Sequence, residues 1–437
     1  MEKRTFGQWK SQRVEKSASP ILDYVKKLSL DDPKVIIIMG RAGTGKSTLI
    51  KEIKKNSNKK CASIAPTGIS AYNINGSTIH SFFRYPPKPF PKEDFLNDST
   101  KAVIRNLEVL IIDEISMVNA SVLDSIDNSL KRYKKTDKPF GGINLILVGD
   151  IFQLEPVNEE AVKEKYGETF FFLANSLENI APKKFLLTRS FRHEEDQYKD
   201  KLLELLDDIR RGRNLDDTCR NINEIAFDPN YDKSKSQMIL TSTNQASENI
   251  NLSFLKKLNT KEYTFKGIFS GKFSSETKNL PAPSELTIKE GAQIVMTKND
   301  APNWFNGSVG TIKNIFDNSI EVKIGNSSYE VGRASWQRLK YKYNKKKDAI
   351  EETVLGSFEQ FPIRLGWATT VHKSQGLTLD SVYIDLGDKA FASGQTYVAL
   401  SRSKTLKGIK LARPLTPADV IVNPMIEEFY KDFYLQN

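Results

Sequence analysis

Residues able to do chemistry first gather at GRAGTGKS, 40–47, where glycines, a lysine and a hydroxyl are spaced as in loops that wrap phosphates. Gly43 and Gly45 free the backbone to turn N–H groups inward, Thr44 lies between them, and the helix that opens here presents the positive end of its dipole. Lys46 is placed to reach a nucleotide's terminal phosphates. Ser47 can put its hydroxyl on Mg²⁺, an ion that keeps most of its waters and takes few protein ligands. A second pattern, LEVLIIDEIS at 107–116, ends an apolar strand in adjacent carboxylates. Asp113 suits a metal contact through water, and Glu114 suits orienting or deprotonating an attacking water. Alone, the loop match has a chance reading and the acid pair reads as a helix cap. Together they point to hydrolysis of ATP.

A third apolar run, LILVGD, leads to Asp150 and Gln153, and Gln153 is a candidate sensor of the γ-phosphate, with Asp150 open to a capping role. Arg192 in LLTRSFR and Arg402 in YVALSRSK each follow a strand-like stretch. From the residues alone, each is either an ordinary surface arginine or a finger that stabilises charge on a transferring phosphoryl group.

These groups need strands that end side by side. Apolar β-branched runs at 34–39, 61–65, 107–112, 143–148 and 185–187, with a helical pattern at 121–133, predict a parallel sheet covered on both faces. A second set at 237–241, 364–369, 381–385 and 409–412 predicts a second α/β lobe. Between the sets, short alternating segments separated by turn residues predict a small inserted β-barrel over 261–345. The proline-rich FRYPPKPFPKED, 83–94, cannot be an ordinary helix and is expected to project as a loop or hairpin within 81–100. The expected organisation is lobe 1 over 1–190, lobe 2 over 191–260 and 346–415 around the insert, and a C-terminal helix over 416–437. The run RLKYKYNKKKD carries six cations in ten positions, 338–347, and reads as a strand contact or as a solvated, mobile hinge.

A chain of 437 residues is long enough for two or three domains. Cys61 and Cys219 lack metal-site or disulfide-framework spacing and read as buried thiols. No run approaches the ~18 apolar residues of a membrane span, and MEKRTFGQWKSQ lacks a secretory h-region, so an intracellular protein is expected. The net charge of +11 favours a polyanionic partner, although basic surfaces also serve solubility.

In order and spacing, the segments GRAGTGKS, APTGISA, STIHSFF, IIDEISMV, LVGDIFQLEPV, LLTRSFR, LTSTNQASENIN, GAQIVMTKN, NGSVGTI, ATTVHKSQGLTLDSV and YVALSRSK resemble the Pif-type DNA helicases of superfamily one, relatives of RecD-like and Dda-like enzymes. The resemblance spans most of the chain. It departs at Leu123, where an aromatic is usual, and at the N-terminus, where only Gln8 and Gln12 are candidates for an adenine-reading glutamine. It implies two RecA-like lobes, ATP and Mg²⁺ as cofactors, and 5′-to-3′ movement by a monomer on single-stranded, forked or structured DNA in replication, repair or genome maintenance. It also implies that Arg192 and Arg402 are arginine fingers, that Gly376 lies near the γ-phosphate, and that the insert guards the strand channel.

Such motors hold a strand across loops at the strand ends of both lobes. Thr67, Gly68, Thr78, His80 and Phe82 in lobe 1, and Thr243, Asn244, His372 and Lys373 in lobe 2, occupy those positions. Hydroxyls and amides suit phosphates, while His80 or Phe82 suits stacking on a base. Phe82 and Phe83 read equally well as core, His193 as structural or exposed, and Trp304 and Phe305 as a plug of the barrel end or a strand contact. The proline-rich segment is the wedge candidate. A translocase that does not unwind, and a P-loop module that only regulates assembly, are the rival functions, and RNA in place of DNA as the track is a third alternative, since phosphate and stacking contacts discriminate weakly without a reader of the 2′-OH.

Overall fold

The computed structural model describes residues 20–92, 96–156, 159–189, 198–273, 280–300, 302–431 and 433. Strands β1 (Val35–Gly40), β2 (Cys61–Ala65), β3 (Ser77–Thr78), β4 (Val109–Ile112), β5 (Asn144–Gly149) and β6 (Lys183–Leu187) form one sheet in the order β3-β2-β4-β5-β1-β6, parallel throughout. The apolar runs are continuous because both faces are covered. Ile36 and Ile38 share a core with Leu49, Ile50 and Ile53 of the helix Lys46–Asn56. Val35, Ile37 and Met39, on the alternate face, join Leu123, Ile126 and Leu130 of the helix Ala120–Lys134. Register sets Met39 beside Gly149 and Ile112 beside Leu147, so the phosphate loop, the acid pair and Asp150 emerge together at one edge.

The chain enters a second parallel sheet at β7 (Met238–Thr241) and leaves it through the helix Asn244–Lys256. An antiparallel module follows: β8 (Glu262–Lys266), β9 (Ile268–Gly271), β10 (Glu285–Lys289), β11 (Gln293–Met296), β12 (Val309–Ile315), β13 (Ser319–Ile324), β14 (Ser327–Gly332), β15 (Ala334–Asn344), β16 (Ala349–Gln360) and β17 (Ile363–Leu365). The sheet β14-β13-β12-β11-β17 and the ribbon β10-β8 enclose one core around Ile288, Ile294, Ile312, Val322 and Phe361. The remaining strands pair as β15-β16-β9. Strands β18 (Ala368–Thr370), β19 (Val382–Asp385) and β20 (Ile409–Leu411) then complete the second sheet, in the order β18-β7-β19-β20.

Several expectations need correction. The antiparallel strands run to Leu365 rather than stopping at 345, because the basic run is one arm of a long hairpin closed through 345–348. Arg338 to Asn344 of that run are laddered, as part of the pairing from Ala334 opposite Gln360 to Asn344 opposite Ala349, and Lys345 to Lys347 form the turn that closes the hairpin. The apparent strand 364–369 is two strands in two sheets, divided at Gly366. A side chain at Gly366 would lie 2.6 Å from the Ile294 carbonyl carbon, so only glycine lets the chain cross there.

The proline-rich segment does not stand away from the lobe. Tyr85 donates its phenolic hydrogen to the Ser125 carbonyl at 2.6 Å, and the Phe90 N–H donates to the Ser121 hydroxyl at 3.2 Å, so the stretch from Tyr85 to Phe90 lies along the helix Ala120–Lys134 with Pro87 and Lys88 exposed between the two pins. The C-terminal helix is shorter than expected, Pro424–Lys431, and returns to lobe 1, where Phe429 stacks on Phe172 and Tyr430 meets Phe152 edge-on.

Candidate nucleotide site and strand track

The phosphate loop turns at Gly43 (φ 79°) and Gly45 (φ 88°), backbone conformations that glycine adopts without cost. Both the hydroxyl and the N–H of Thr44 are directed at the Arg41 carbonyl, at 2.9 and 3.3 Å, so this buried residue braces the loop. Lys46 opens the helix and folds back over its own loop, donating to the carbonyls of Gly40 at 2.8 Å and Arg41 at 3.1 Å. Ser47, half-buried, lies in the first helical turn beside it.

Asp113 is buried at the end of β4 and accepts the Glu114 N–H at 2.9 Å. Burial, and then the neighbouring Glu114 charge, push its carboxyl up to about 7. Glu114 sits in the left-handed region (φ 50°, ψ 46°), where the chain leaves the extended path of β4. Burial raises its pKa too, against the Lys46 charge, and Asp150 adds to the rise while Arg402 opposes it. Its Oε2 is buried and has no hydrogen-bond partner among the described residues. An unsatisfied buried carboxylate oxygen in this position suits a water that is to be oriented for attack.

Asp150 and Gln153 connect the two lobes. Gln153 donates to Asp150 at 2.9 Å, Asp150 also accepts the Tyr397 hydroxyl at 3.3 Å, and Gln375 donates to Gln153 at 3.4 Å. Arg402 is fully buried in lobe 2. Its Nε donates to the Val398 carbonyl at 2.8 Å, Nη1 to Ser374 at 3.1 Å and Leu377 at 3.5 Å, and Nη2 to the Ser401 hydroxyl at 2.8 Å. These acceptors are neutral, and the guanidinium charge is felt at Glu114 across the lobes. Gly376 (φ 83°) lies between two of these acceptors, Ser374 and Leu377, and an added Cβ there would meet nothing within 4 Å. Arg192 and His193 lie outside the described residues.

Along the expected track, three threonines have a local task. The hydroxyls of Thr67, Thr78 and Thr243 cap helices by accepting the N–H of Ser70, Ser81 and Ala246, each at 3.2 Å. Gly68 and Asn244 are the first residues of two of those helices. His80 uses Nδ1 on the Tyr85 carbonyl at 3.2 Å. Phe82 is only 6% exposed, its ring edge-on to Phe83 and to Tyr341 of β15, so here it is core and not a free stacking platform. In lobe 2, His372 and Lys373 are exposed beyond β18, with the Lys373 N–H held by the Thr370 hydroxyl at 3.3 Å. Trp304 is buried in the insert, bonded to the Lys298 carbonyl, while Phe305 is half-buried.

The hairpin β15–β16 lies against lobe 1 beside these residues. The Tyr341 hydroxyl meets both the N–H and the carbonyl of Ser63, at 3.1 and 3.2 Å, while Lys60 pairs with Asp348 and Lys54 with Glu352.

A family model described as PIF1-like helicase matches residues 14–219. The ATP-dependent DNA helicase Pif1 of Bdellovibrio bacteriovorus is 30% identical over 91% of this chain and 88% of its own length. The chain belongs to the PIF1-like helicase family. A PIF1 helicase of Emericella nidulans is 29% identical over 94% of this chain, which spans 62% of that longer protein. The crystal structure of Bacteroides sp Pif1 with ADP-AlF4 superposes with a TM-score of 0.87 at 30% identity, covering 96% of this chain and 97% of that one.

The donor set of this PIF1-like site fits magnesium: a hydroxyl at Ser47 and a buried carboxylate at Asp113, with the orphaned Glu114 oxygen beside Asp113 left for water. Among the described residues no group of three or more His, Cys, Asp or Glu is placed to hold a metal. Sequence reasoning missed the residues that bind this site to lobe 2. Arg41, an unconstrained position of the loop pattern, pairs with Asp207 at 2.6 Å. Asp207 also receives Arg210 at 2.8 Å and Arg211 at 3.1 Å, and the Arg210 guanidinium lies over Phe152, 4.5 Å from the ring centre. No spacing rule marks a carboxylate on a remote helix as the partner of a phosphate loop.

Proposed function

We propose that this chain is an ATP-dependent motor that moves 5′-to-3′ along single-stranded DNA and unwinds duplex or other secondary structure ahead of it. The observation that carries the reading is that the hydrolysis site is shared: the acid pair lies in lobe 1, yet Arg402, Tyr397 and Gln375 of lobe 2 act on Glu114, Asp150 and Gln153. Closing and opening of the lobes is thereby tied to the state of the nucleotide. Lys46 leaves its carbonyl partners for the terminal phosphates, Glu114 orients water, and Arg402, with Arg192, stabilises charge on the transferring group. Ser47 and Asp113 would hold magnesium, which when bound would supply neutralisation of phosphate charge. A crystal structure of the Bacteroides relative, 30% identical over 97% of both chains, contains single-stranded DNA, which supports a strand track over Thr67, Gly68, Thr78, His80, Thr243, Asn244, His372 and Lys373. The proline-rich segment, rigid and pinned to lobe 1, is the strand separator, and the antiparallel insert is a small barrel-like guard of the channel. Replication, repair or genome maintenance inside the cell is the setting.

The test is unwinding of 5′-tailed against 3′-tailed duplexes, with Lys46→Ala and Glu114→Gln as controls that still bind the strand. Activity on the 5′ tail alone, absent in both variants, is expected. Equal activity on both tails overturns the polarity, and unwinding by Lys46→Ala overturns the site.

A further inference from the structure

At the far end of the helix Ala120–Lys134 from the acid pair, the surface of lobe 1 holds a concavity of about 560 Å³. Arg105, Lys134, Lys135 and Lys138 line it, together with Thr136 and the backbone of Gly141 and Gly142. Among the described residues none of the four cations has a carboxylate within ion-pair distance, and the Lys134 ammonium turns to the Arg105 carbonyl at 3.2 Å. Burial pulls the Lys134 pKa down, and the Lys60 charge nearby adds to this against Glu108. Asp137 is exposed next to the site but does not line it. Four unneutralised cations around a hydroxyl and glycine backbone make a receptor for phosphate oxygens.

The same helix carries the proline-rich segment on its other half, pinned at Ser121 and Ser125. At about 1.5 Å of rise per residue, Lys134 lies roughly 13 to 20 Å from those pins. The side chains of Asn128, Arg132 and Lys135 are exposed along the way. Duplex DNA advances about 3.4 Å per base pair, so the interval corresponds to about four to six base pairs.

We propose that this concavity binds phosphates of the duplex backbone about four to six base pairs beyond the point of strand separation. The proposal rests on the reading of the proline-rich segment as the separator. Contacts of this kind read no sequence; they hold the incoming duplex in line with the motor. A free phosphate or nucleotide offers the same oxygens, and the test separates the two sources.

The full-length chain and its Lys135→Ala/Lys138→Ala variant, which leaves the phosphate loop and the track intact, are compared for DNA binding across a salt series. Three DNAs are used: a 5′ single-stranded tail alone, the tail with a duplex of about three base pairs, and the tail with a duplex of about twelve, since each lost phosphate contact on duplex lowers the salt slope by about 0.9. The expected result is a slope smaller by about 2 on the longest duplex, with no change on the other two DNAs. An unchanged slope on the longest duplex, or an equal change on the tail alone, overturns the proposal. Inorganic phosphate is then titrated in thermal unfolding without DNA. Protection of the unsubstituted chain but not the variant, with duplex binding unaltered, assigns the site to free phosphate and overturns the duplex assignment. Strand-stimulated ATP turnover on the tail alone reports separately on the motor: its absence sinks that reading whatever the duplex slope.

Discussion

Removing the Asp207 carboxylate tests whether the phosphate loop is mechanically joined to lobe 2. Asp207 is on the helix Lys199–Arg211, which packs on the helices Leu215–Ala226 and Gln395–Leu400 of that lobe. Its bond to Arg41, at 2.6 Å with the two side chains 26% and 29% exposed, is the direct ionic link from the loop to this helix. Exposed ion pairs are worth about 0.2 to 1 kcal/mol, and partial shielding here puts the coupling near the upper end, about 1 kcal/mol or fivefold in a rate constant. Asp207→Asn alone also removes the negative charge beside the buried Arg210, so its total effect mixes coupling with stability. A double-mutant cycle with Arg41→Ala separates the two. Strand-stimulated ATP turnover is measured at saturating ATP and DNA for the unsubstituted chain, both single variants and the double variant, with thermal unfolding in parallel. The double variant should turn over about fivefold faster than the product of the two single effects predicts. Additivity within about 0.3 kcal/mol would refute the argument that this pair transmits closure.

Two further outcomes follow from named contacts. Tyr341→Phe leaves the buried Ser63 N–H and carbonyl without the phenol, a loss of about 1 to 3 kcal/mol, and should speed amide exchange across β15 and β16; unchanged exchange would mean the hydroxyl does not hold the hairpin. Asp419 is buried, which alone would raise its pKa, but the Arg413 guanidinium and the Thr416 N–H and hydroxyl outweigh this and bring it from 3.8 to about 2. A depressed carboxylate stabilises the fold above its unfolded pKa and loses that contribution as pH falls through the folded one. About 2 kcal/mol is therefore present at neutral pH and fades between about pH 4 and pH 2. Denaturant titrations of Asp419→Asn should lack that pH-dependent step.

Lobe 1 was legible because its strands are buried on both faces, which forces unbroken apolar runs such as VIIIMG, and because phosphate loops constrain glycine, lysine and hydroxyl spacing at once. The run 364–369 misled because the sequence carries no mark of a change of sheet apart from Gly366, whose need for closeness to Ile294 is a tertiary fact. The hairpin β15–β16 was obscured by its surface: with one arm rich in lysine and the other in glutamate, its alternation is of charge and not of hydrophobicity. Threonine has one signature for two roles, so Thr67, Thr78 and Thr243 could be placed at loop ends from the sequence without showing that their hydroxyls serve their own helices. Phe82 went into the core because β15, far along the chain, supplied the aromatic neighbour that covers it.

The anchoring of Arg402 has a bearing on how a passing strand speeds catalysis. Two of the acceptors named above, the carbonyls of Ser374 and Leu377, belong to the stretch that begins with the exposed His372 and Lys373. Two others, Val398 and Ser401, belong to the helix that sends Tyr397 to Asp150 and to its C-terminal cap. On the strand track proposed above, one cation thus clamps the turn next to the polymer and the helix next to the nucleotide into a single stiff bracket. A tug on the turn needs no long chain of intermediaries to be felt at the bond being cut. A lysine in its place, with its donors on one nitrogen, could not brace both arms at once.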